Sequence, residues 1–454
     1  MTVKQIILTE NFDCEHLLGK FLEHDSYNYI VNSDADVYKP LGPGESPHEN
    51  NCLLKFRKNV FPKTIIDQAY IGLREGAGIS DNRGLAAGTQ RDEFQKMPTE
   101  TGHGKRRWVT KKEKAVINYF LAGSPISASG EDQLDEILRE GSDEPLEGRG
   151  ATGGGDIKGG SIWIVKKSLE FDFRNWIEKI RNVSSLERKK AAKDIRELIS
   201  DTSYGNSVYS GTAGYFDRYP RIPFCRETAW SAANSDLFQK GYPLFEAASR
   251  IFKENLPIRW NGQNECVKKL KDSNWLVGNS VYTTITINKD FRTACHRDAG
   301  DLCETERINS PAGFSNLTVL NDGKKFDGMY LCMPEYKVCV DVKPGDLLLM
   351  DAHQIHGNVP LISSDEGFER ISVVMYFRTA MLGCSSVQHE DLRRKFVYSR
   401  KDNQKHSLWH EGWNGVSAGM WETQEWSSYL SNNGFPEEAE KVSKTNDVSV
   451  LDFL

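Results

Sequence analysis

The second half of the chain contains a series of short segments rich in β-branched and aromatic residues, and this series limits the possible folds more than any other feature. Runs of this length predict β-strands, and the turn sequences NDGKKFDG and KPGD between them predict an antiparallel meander. Two such sheets facing each other form a double-stranded β-helix of the jelly-roll or cupin type. The segments, from about residue 281 to 380, are VYTTITIN, FSNLTVL, MYLCMP, VCVDV, DLLLMDAHQIH and RISVVMYFRTA.

Helical and loop-like sequence surrounds this core, so we expect an α+β fold with flanking helices. The chain has 454 residues, enough for one large or two modest domains. We predict an N-terminal extension over residues 1–50, a main domain over 51–385 and a C-terminal helical extension over 386–454, whose polar end can fray. Residues 141–160 contain eight glycines and predict a mobile loop or hinge.

Composition and charge exclude several classes of protein. The chain is 38% hydrophobic and 27% charged, which is typical of a soluble globular protein. It has no run of about 18 apolar residues for a membrane span, and its N-terminus lacks the pattern of a secretory signal. The net charge is −6, so a nucleic-acid partner would need a local basic patch. We expect a soluble intracellular protein of the cytoplasm or nucleus.

The cysteines favour the same compartment. There are nine, an odd number, and no C-x-x-C pair occurs. This pattern predicts free thiols in a reducing compartment rather than disulfides or a structural zinc site. The positions are Cys14, Cys52, Cys225, Cys266, Cys295, Cys303, Cys332, Cys339 and Cys384.

Two segments upstream of the strands carry candidate ligand contacts. The glycine-rich segment 79–90 can either approach a ligand closely or form an ordinary surface turn. In segment 104–114, GKRRWVTKKEK, basic residues alternate with an aromatic one, as in sites that contact phosphates and stack bases. A solvated charged face is the alternative. The candidate phosphate contacts are Lys105, Arg106, Arg107, Lys111 and Lys112.

A candidate metal site begins at His296 and Asp298. On a strand, residues two apart point to the same face, and one imidazole with one carboxylate supplies two ligands of a 2-His-1-carboxylate iron site. A lone HxD also occurs by chance in surfaces and cores. The third ligand must come from a late strand, where His353 and His356 face opposite sides. We choose His356, because Arg370 follows fourteen residues later, which allows a turn and return to the neighbouring strand.

Arg370 indicates the cosubstrate. Its surroundings, ERISVVMYF, are mostly apolar, which favours a paired arginine over a solvent-exposed cation. A guanidinium can bind a carboxylate in bidentate fashion, and Ser372 faces the same way. Three metal ligands with such an arginine imply 2-oxoglutarate, chelating the iron through its keto acid end. Asn288 is a candidate hydrogen-bond partner of the chelating carboxylate.

At these residues the sequence resembles the TET/JBP family of iron(II)- and 2-oxoglutarate-dependent DNA base dioxygenases, over roughly residues 50–385. JBP-type thymine hydroxylases look more similar than animal TET proteins, because no TET-like Cys-rich region is present. We expect a stand-alone catalytic domain, as in phage or microbial members. The matching motifs are FRTACHRDAGD (291–301), GFSNLTVL (313–320), GDLLLMDAHQIHGN (345–358) and RISVVMYF (370–377), with weaker similarity at DNRGLAAG (81–88) and GYFDRYPRIPFCRETAW (214–230).

The resemblance implies that His296, Asp298 and His356 hold Fe(II), that Arg370 holds 2-oxoglutarate, and that O2 is the oxidant. The enzyme would hydroxylate the 5-methyl group of a pyrimidine base in DNA, with thymine favoured over 5-methylcytosine. The base would have to be flipped out of the duplex, which strengthens the interpretation of segment 104–114 as a phosphate-binding element. No membrane association and no obligate protein partner are expected.

Asp301 falls where family members place a polar residue near the base. A carboxylate there can accept a hydrogen bond from thymine N3–H or from the cytosine exocyclic amine. It could equally be a helix N-cap or a salt-bridge partner.

Three alternatives stay open at this point. The first is a 2-oxoglutarate dioxygenase acting on RNA, protein or a small molecule. The second is a non-catalytic DNA-binding module. The third, a zinc or manganese cupin of the isomerase type, usually needs more histidine ligands than this spacing offers.

Overall fold

The computed structural model describes residues 3–80, 83–88, 208–218, 222–298, 300–302, 313–401, 421 and 423–444, with only the backbone of three short strands in between. Lys105, Arg106, Lys111, Lys112 and the glycine-rich stretch 141–160 lie outside the described residues, and Arg107 is described by its backbone alone. Within the described ranges, no helix combines the length and apolar character needed to cross a bilayer.

The described chain mixes large sheets with several helices, as expected. The strands follow β-branched sequence in the second half, and β1 and β3 bring the N-terminal residues into the same sheet system. The strands are β1 Lys4–Ile7, β2 Tyr29–Val31, β3 Ala35–Tyr38, β4 Cys52–Arg57, β5 Ile79–Ser80, β6 Arg107–Trp108, β7 Ile164–Val165, β8 Ile199–Ser200, β9 Val208–Phe216, β10 Arg226–Glu227, β11 Thr284–Lys289, β12 Ser315–Asn321, β13 Phe326–Gly328, β14 Leu331–Met333, β15 Val338–Val340, β16 Leu347–Met350, β17 Gly357–Asn358, β18 Leu361–Ser364 and β19 Arg370–Tyr376.

The helices form where apolar residues recur at helical spacing. In the longest of the central helices, Leu244, Phe245, Ala248, Ile251 and Phe252 are buried on one face, the pattern of a surface helix packed on a core. The helices are α1 Lys63–Leu73, α2 Ala229–Ala233, α3 Ser235–Gln239, α4 Tyr242–Asn255, α5 Pro257–Lys269, α6 Val387–Lys401, α7 Gln424–Asn432 and α8 Pro436–Lys444.

The largest sheet has ten strands. Nine follow the order β1-β3-β4-β16-β12-β19-β11-β9-β10, and β5 pairs with β9. A second sheet has the order β17-β14-β15-β2, and β13 pairs with β18. The predicted meander is therefore wrong, because β19 lies between β12 and β11 rather than beside its chain neighbour. Alternation along a strand predicts which face is buried, but it does not predict the pairing partner.

Alternation along β19 divides the large sheet into two faces. Ile371, Val373 and Met375 join a core that also contains apolar residues of α1 and α4. The residues between them line a cavity on the opposite face. The helices thus cover one side of the sheet and leave the other side for a site.

One cysteine prediction is wrong. Cys225 and Cys384 form a disulfide, with Cα atoms 5.9 Å apart across a sequence separation of 159. Two residues so distant in the sequence carry no local signal of their contact. Cys303 lies outside the described residues. The free cysteines among the described residues are all buried: Cys14, Cys52, Cys266, Cys295, Cys332 and Cys339.

Candidate active site

The candidate metal ligands meet where two chain segments pair. His296 and His356 form an antiparallel bridge and exchange backbone hydrogen bonds of 3.0 Å in both directions. The backbone N–H of Asp298 donates to the carbonyl of Ala352 at 2.9 Å. The ligands therefore lie outside the named strands: His356 directly precedes β17, and His296 and Asp298 lie in the segment between β11 and β12. We had expected His296 and Asp298 to lie on a regular strand. The backbone pairing still brings both imidazoles to one side.

The geometry of the side chains suits a metal ion. The ligand atoms of His296, Asp298 and His356 all lie within 4.8 Å of one another. The Nε2 atoms of His296 and His356 are 3.6 Å and 3.8 Å from carboxylate oxygens of Asp298. Each Nδ1 contacts a backbone carbonyl, that of Ala294 at 2.8 Å and that of Gln354 at 2.9 Å. Because a carbonyl only accepts, Nδ1 carries the proton and the Nε2 lone pair is directed at the cluster.

The protonation state of His356 also suits a ligand. Burial and the neighbouring His296 lower the pKa of His356 to about 4, so the imidazole is neutral at physiological pH, as ligation requires. His353, the alternative we rejected, is outside this cluster, and its Nδ1 lies 3.3 Å from a carboxylate oxygen of Asp351.

Arg370 lies in the same cavity, whose volume is about 220 Å³. The residue is 3% exposed, and among the described residues its Nε has no hydrogen-bond partner. Burial lowers the pKa of Arg370 to about 10, against the opposing effect of Asp290 and Asp341, so the guanidinium remains charged at neutral pH. A buried cation with a donor left over beside a cavity suits a carboxylate ligand.

Asn288 and Ser372 are cross-strand neighbours in the register of β11 and β19, and both line the cavity. The hydroxyl of Ser210 donates to the side-chain oxygen of Asn288. This contact occupies the acceptor of the amide and leaves its N–H2 group as a donor.

Asp301 lines the cavity on the side of Asp298 and is 7% exposed. Its carboxylate accepts a hydrogen bond from the Ser315 hydroxyl, and its backbone bridges to Arg378. Burial and the charge of Asp298 raise the pKa of Asp301 to about 7. Both protonation states of this carboxyl are therefore accessible near neutral pH.

The polar cavity residues that sequence reasoning missed include Arg83, Tyr376 and Arg378. Tyr376 follows from alternation, because it continues the inward series that begins at Arg370. Arg83 lies in the glycine-rich segment, where one of the two interpretations was close approach to a ligand. Its Nη2 donates to Thr212 at 3.2 Å, and burial lowers the pKa of Arg83. Arg378 continues the series of Arg370 and Tyr376 by one more step, within the predicted strand RISVVMYFRTA.

Arg378 is fixed by contacts from the last residue of β9 and the residue that follows it. Its Nε donates to the carboxylate of Asp217, and its guanidinium lies over the ring of Phe216 at 3.9 Å from the centroid. A paired and stacked arginine is held in one orientation, so Arg378 is a rigid part of the cavity wall.

Comparison with known proteins places this site in a family. Residues 211–379 match the model of the Tet_JBP family, described as the oxygenase domain of the 2OGFeDO superfamily. Residues 211–379 are therefore similar to the oxygenase domain of the TET/JBP family. The resemblance seen in the sequence is thereby confirmed. His296, Asp298, His356 and Arg370 all fall inside the matched TET/JBP segment, whereas Arg83 falls outside it.

Curated relatives include the thymine dioxygenase JBP1 of Trypanosoma brucei brucei, 27% identical over 304 residues, covering 63% of this chain and 33% of the relative. JBP1 of Leishmania braziliensis is 32% identical over 203 residues, covering 44% and 23%. The bifunctional helicase and thymine dioxygenase JBP2 of Leishmania tarentolae is 29% identical, covering 48% and 19%. The chain spans a third or less of the length of these TET/JBP relatives.

Among solved structures, NgTET1 in complex with 5mC DNA is similar over 63% of this chain and 99% of that chain. The identity is 17% and the TM-score is 0.31, a level that supports no inference.

Proposed function

We propose that this TET/JBP chain is an Fe(II)- and 2-oxoglutarate-dependent dioxygenase that hydroxylates the 5-methyl group of a pyrimidine base in DNA, with thymine the favoured base. The observation that carries the proposal is the composition of one cavity. It combines a His-Asp-His cluster, with both Nε2 lone pairs directed inward, and a buried arginine whose Nε has no hydrogen-bond partner within the described part of the chain. A transition metal and a dicarboxylate together satisfy both sets of groups.

His296, Asp298 and His356 would hold the metal, in the facial arrangement that leaves other coordination positions open. Bound Fe(II), with 2-oxoglutarate as the reductant, supplies the activation of O2 and the insertion of one oxygen atom into a C–H bond. The Nδ1–H contacts to the carbonyls of Ala294 and Gln354 keep both imidazoles oriented for this role.

Arg370 would form a charge-assisted pair with the distal carboxylate of 2-oxoglutarate, and Ser372 would add a hydrogen bond from the same face of β19. Asn288 has its N–H2 group left to donate toward the chelating carboxylate. Leu317 and Val374 form apolar cavity wall beside these groups, which excludes water and strengthens the ion pair.

Asp301 would face the edge of the base. In its ionised form the carboxylate accepts from thymine N3–H, whereas it meets the lone pair of cytosine N3 unfavourably. The preference for thymine also agrees with the names of the JBP1 and JBP2 relatives, which are called thymine dioxygenases.

The proposed substrate, a base in DNA, makes DNA the proposed partner. A methyl group within a duplex cannot reach a cavity of this kind, so the base would be flipped into it. We further propose that the two sheets form the jelly-roll core implied by the superfamily, and that Lys105, Arg106, Arg107, Lys111 and Lys112 contact phosphates.

The test is a reaction of the purified protein with Fe(II), ascorbate and 2-oxoglutarate. The substrates are duplex DNA with unmodified thymine and the same DNA carrying 5-methylcytosine. Digested nucleosides are quantified by mass spectrometry, with His296→Ala as the control. We expect 5-hydroxymethyluracil from the wild-type protein and none from the variant.

Other results would change the proposal in defined ways. Hydroxymethylcytosine without hydroxymethyluracil would reverse the base preference. Formation of succinate without a modified base would support 2-oxoglutarate as the cosubstrate. The substrate would then have to be sought among RNA, proteins or small molecules. The absence of any 2-oxoglutarate turnover would overturn the proposed enzymatic function and favour a non-catalytic DNA-binding module.

A further inference from the structure

One side chain outside the metal cluster contacts both segments that carry the candidate ligands. Glu335 lies in the 3-10 turn Pro334–Tyr336 after β14 and is 9% exposed. One of its carboxylate oxygens accepts from the backbone N–H of Ile355 at 2.8 Å. The other accepts from Nη2 of Arg297 at 3.1 Å.

Both contacts are immediately beside candidate ligands. Ile355 precedes His356, and Arg297 lies between His296 and Asp298. The same turn supports the His356 segment a second time, since the hydroxyl of Tyr336 donates to the side-chain oxygen of Gln354 at 2.9 Å. The backbone carbonyl of Gln354 is the partner of His356 Nδ1.

We propose that Glu335 is a positioning residue that holds the two ligand-bearing segments at the separation a metal ion needs. The inference rests on the proposed iron site and deepens it. Each carboxylate oxygen of Glu335 accepts a hydrogen bond from a different segment. A single side chain therefore fixes the distance between the segments that contain His296 and His356. Groups that orient ligands in this way typically affect metal affinity by about 10- to 100-fold.

A second glutamate provides a matched control. Arg297 also pairs with Glu15 through Nη1, but the side chain of Glu15 is 59% exposed, whereas that of Glu335 is 12% exposed. Exposed ion pairs contribute little, while a buried acceptor that is removed leaves its donors unpaired. Glu15 contacts only one of the two ligand-bearing segments, so its loss should leave their separation unchanged.

Glu335→Gln is the decisive change because it keeps the size of the side chain. The amide has one oxygen where the carboxylate has two. If that oxygen accepts from Ile355 N–H, the amide N–H2 faces the guanidinium of Arg297, and the opposite orientation fails at Ile355. One of the two links is therefore broken in either orientation.

The experiment measures Co(II) binding to the metal-free 454-residue protein, by calorimetry and by the d–d absorption of the bound ion. The variants are Glu335→Gln, Glu15→Gln and His296→Ala, all studied well below the unfolding temperature of each metal-free protein. We expect Glu335→Gln to weaken Co(II) binding by about tenfold or more and to change the absorption band. Glu15→Gln should stay within about twofold of the wild type.

The outcomes separate the two proposals. If wild-type protein binds no Co(II), or binds it equally after His296→Ala, the proposed metal site fails and this inference fails with it. If wild-type binding depends on His296 but Glu335→Gln behaves like Glu15→Gln, the site stands and the role of Glu335 is overturned. A purely structural role would lower the unfolding temperature without changing affinity or absorption.

Should Glu335→Gln not fold, Arg297→Gln replaces it. This change removes the guanidinium link from the other end, on a side chain that is 35% exposed. We expect several-fold weaker Co(II) binding, and an affinity equal to that of the wild type would overturn the proposal.

Discussion

Two arginines of similar burial have opposite surroundings. Arg259 on α5 is 8% exposed and Arg370 on β19 is 3% exposed. The guanidinium of Arg259 donates to the backbone carbonyls of Glu49, Asn50 and Gly313, and it stacks over Phe314 at 4.4 Å. Among the described residues, the Nε of Arg370 has no hydrogen-bond partner.

The difference teaches how to separate structural from functional burial of charge. Burying a cation costs free energy unless hydrogen bonds compensate for its lost hydration. The protein supplies these bonds for Arg259, and likewise for Arg292, which is 1% exposed and donates to the carbonyls of Leu22 and Asn358. Among the described residues it supplies none for the Nε of Arg370, so the burial of that arginine is best explained by a ligand.

The largest expected effect comes from the metal cluster. His356→Ala should reduce 2-oxoglutarate turnover by about 1000-fold or more, because a ligand is lost from a three-ligand site. His353→Ala removes a histidine three residues away that contacts Asp351 instead, and it should retain most of the activity. Succinate formation by both variants is the measurement. Equal loss in the two variants would show that the site is assigned to the wrong histidine.

Exchanging each arginine for methionine tests the comparison directly. Arg370→Met should raise the KM for 2-oxoglutarate by about 100-fold or more, since it removes one partner of a buried charge pair. The metal-free protein should be as stable as the wild type or more stable, because the change removes a buried cation whose Nε has no hydrogen-bond partner among the described residues. Urea unfolding and steady-state kinetics give the two readouts.

Arg259→Met should give the reverse pattern. It leaves three backbone carbonyls without their donor and should lower the free energy of unfolding by about 2 kcal/mol, with an unchanged KM for 2-oxoglutarate. If Arg370→Met were the destabilising variant of the two, Arg370 would be a structural residue like Arg259.

A buried carboxylate extends the comparison to acidic groups. Glu390 has a side chain that is 1% exposed, and it accepts from the backbone N–H groups of Cys225 and Ser385 at 2.8 Å and 2.9 Å. Burial acts to raise the pKa of Glu390, but the charges of Arg393 and Arg218 outweigh it and keep the pKa below its ordinary value. Like Arg259, this group has its charge compensated by the protein.

The lowered pKa of Glu390 makes the stability of the protein depend on pH. The folded pKa lies below the unfolded value of about 4.3, so Glu390 stabilises the protein above that pH and loses its contribution as pH falls through the folded pKa. Glu390→Gln should be less stable than the wild type by about 2 kcal/mol at pH 7, and the gap should close as the pH falls through the folded pKa of Glu390. Urea unfolding across this range measures the gap. A gap that is constant with pH would mean that the ionised form contributes nothing.

Much of the candidate site could be predicted from the sequence, because local spacing decides which side chains share a face. The spacing of His296 and Asp298, and the alternation of Arg370 and Ser372, place side chains on one face by local geometry alone. Continuing that alternation would also have found Tyr376. The rule that residues three apart on an extended segment face opposite sides left only one of His353 and His356 as a ligand. Arg370, fourteen residues after His356, decided the choice.

The remainder depends on contacts between distant segments. The strand order, with β19 between β12 and β11, is set by tertiary packing, and neither the Cys225–Cys384 disulfide nor the link from Glu335 to Arg297 has a local signature. The domain boundaries stay a prediction. The side chains of the basic residues near 105–112 lie outside the described part of the chain, so their contact with phosphates also remains a prediction.

The smallest expected effect concerns Asp301. This residue shares features with buried charges that the protein compensates, such as Arg259, and with Arg370, whose charge a ligand would compensate. It has a protein partner in Ser315, yet it faces the cavity. At pH 8, above its pKa of about 7, the carboxylate can accept from thymine N3–H and opposes the N3 lone pair of cytosine. Asp301→Asn can rotate its amide to donate or accept, so the ratio of thymine to 5-methylcytosine hydroxylation should fall by about tenfold.

The control for this change is Asp322→Asn on the turn after β12, which should leave the ratio unaltered. Both are measured by competition between the two bases in one duplex, so that a general loss of activity cancels from the ratio. If Asp301→Asn lowers both products equally, Asp301 supports the cavity without reading the base, and it belongs with Arg259 and Glu390. If the ratio falls as expected, Asp301 belongs with Arg370, because part of what compensates its burial is then the substrate.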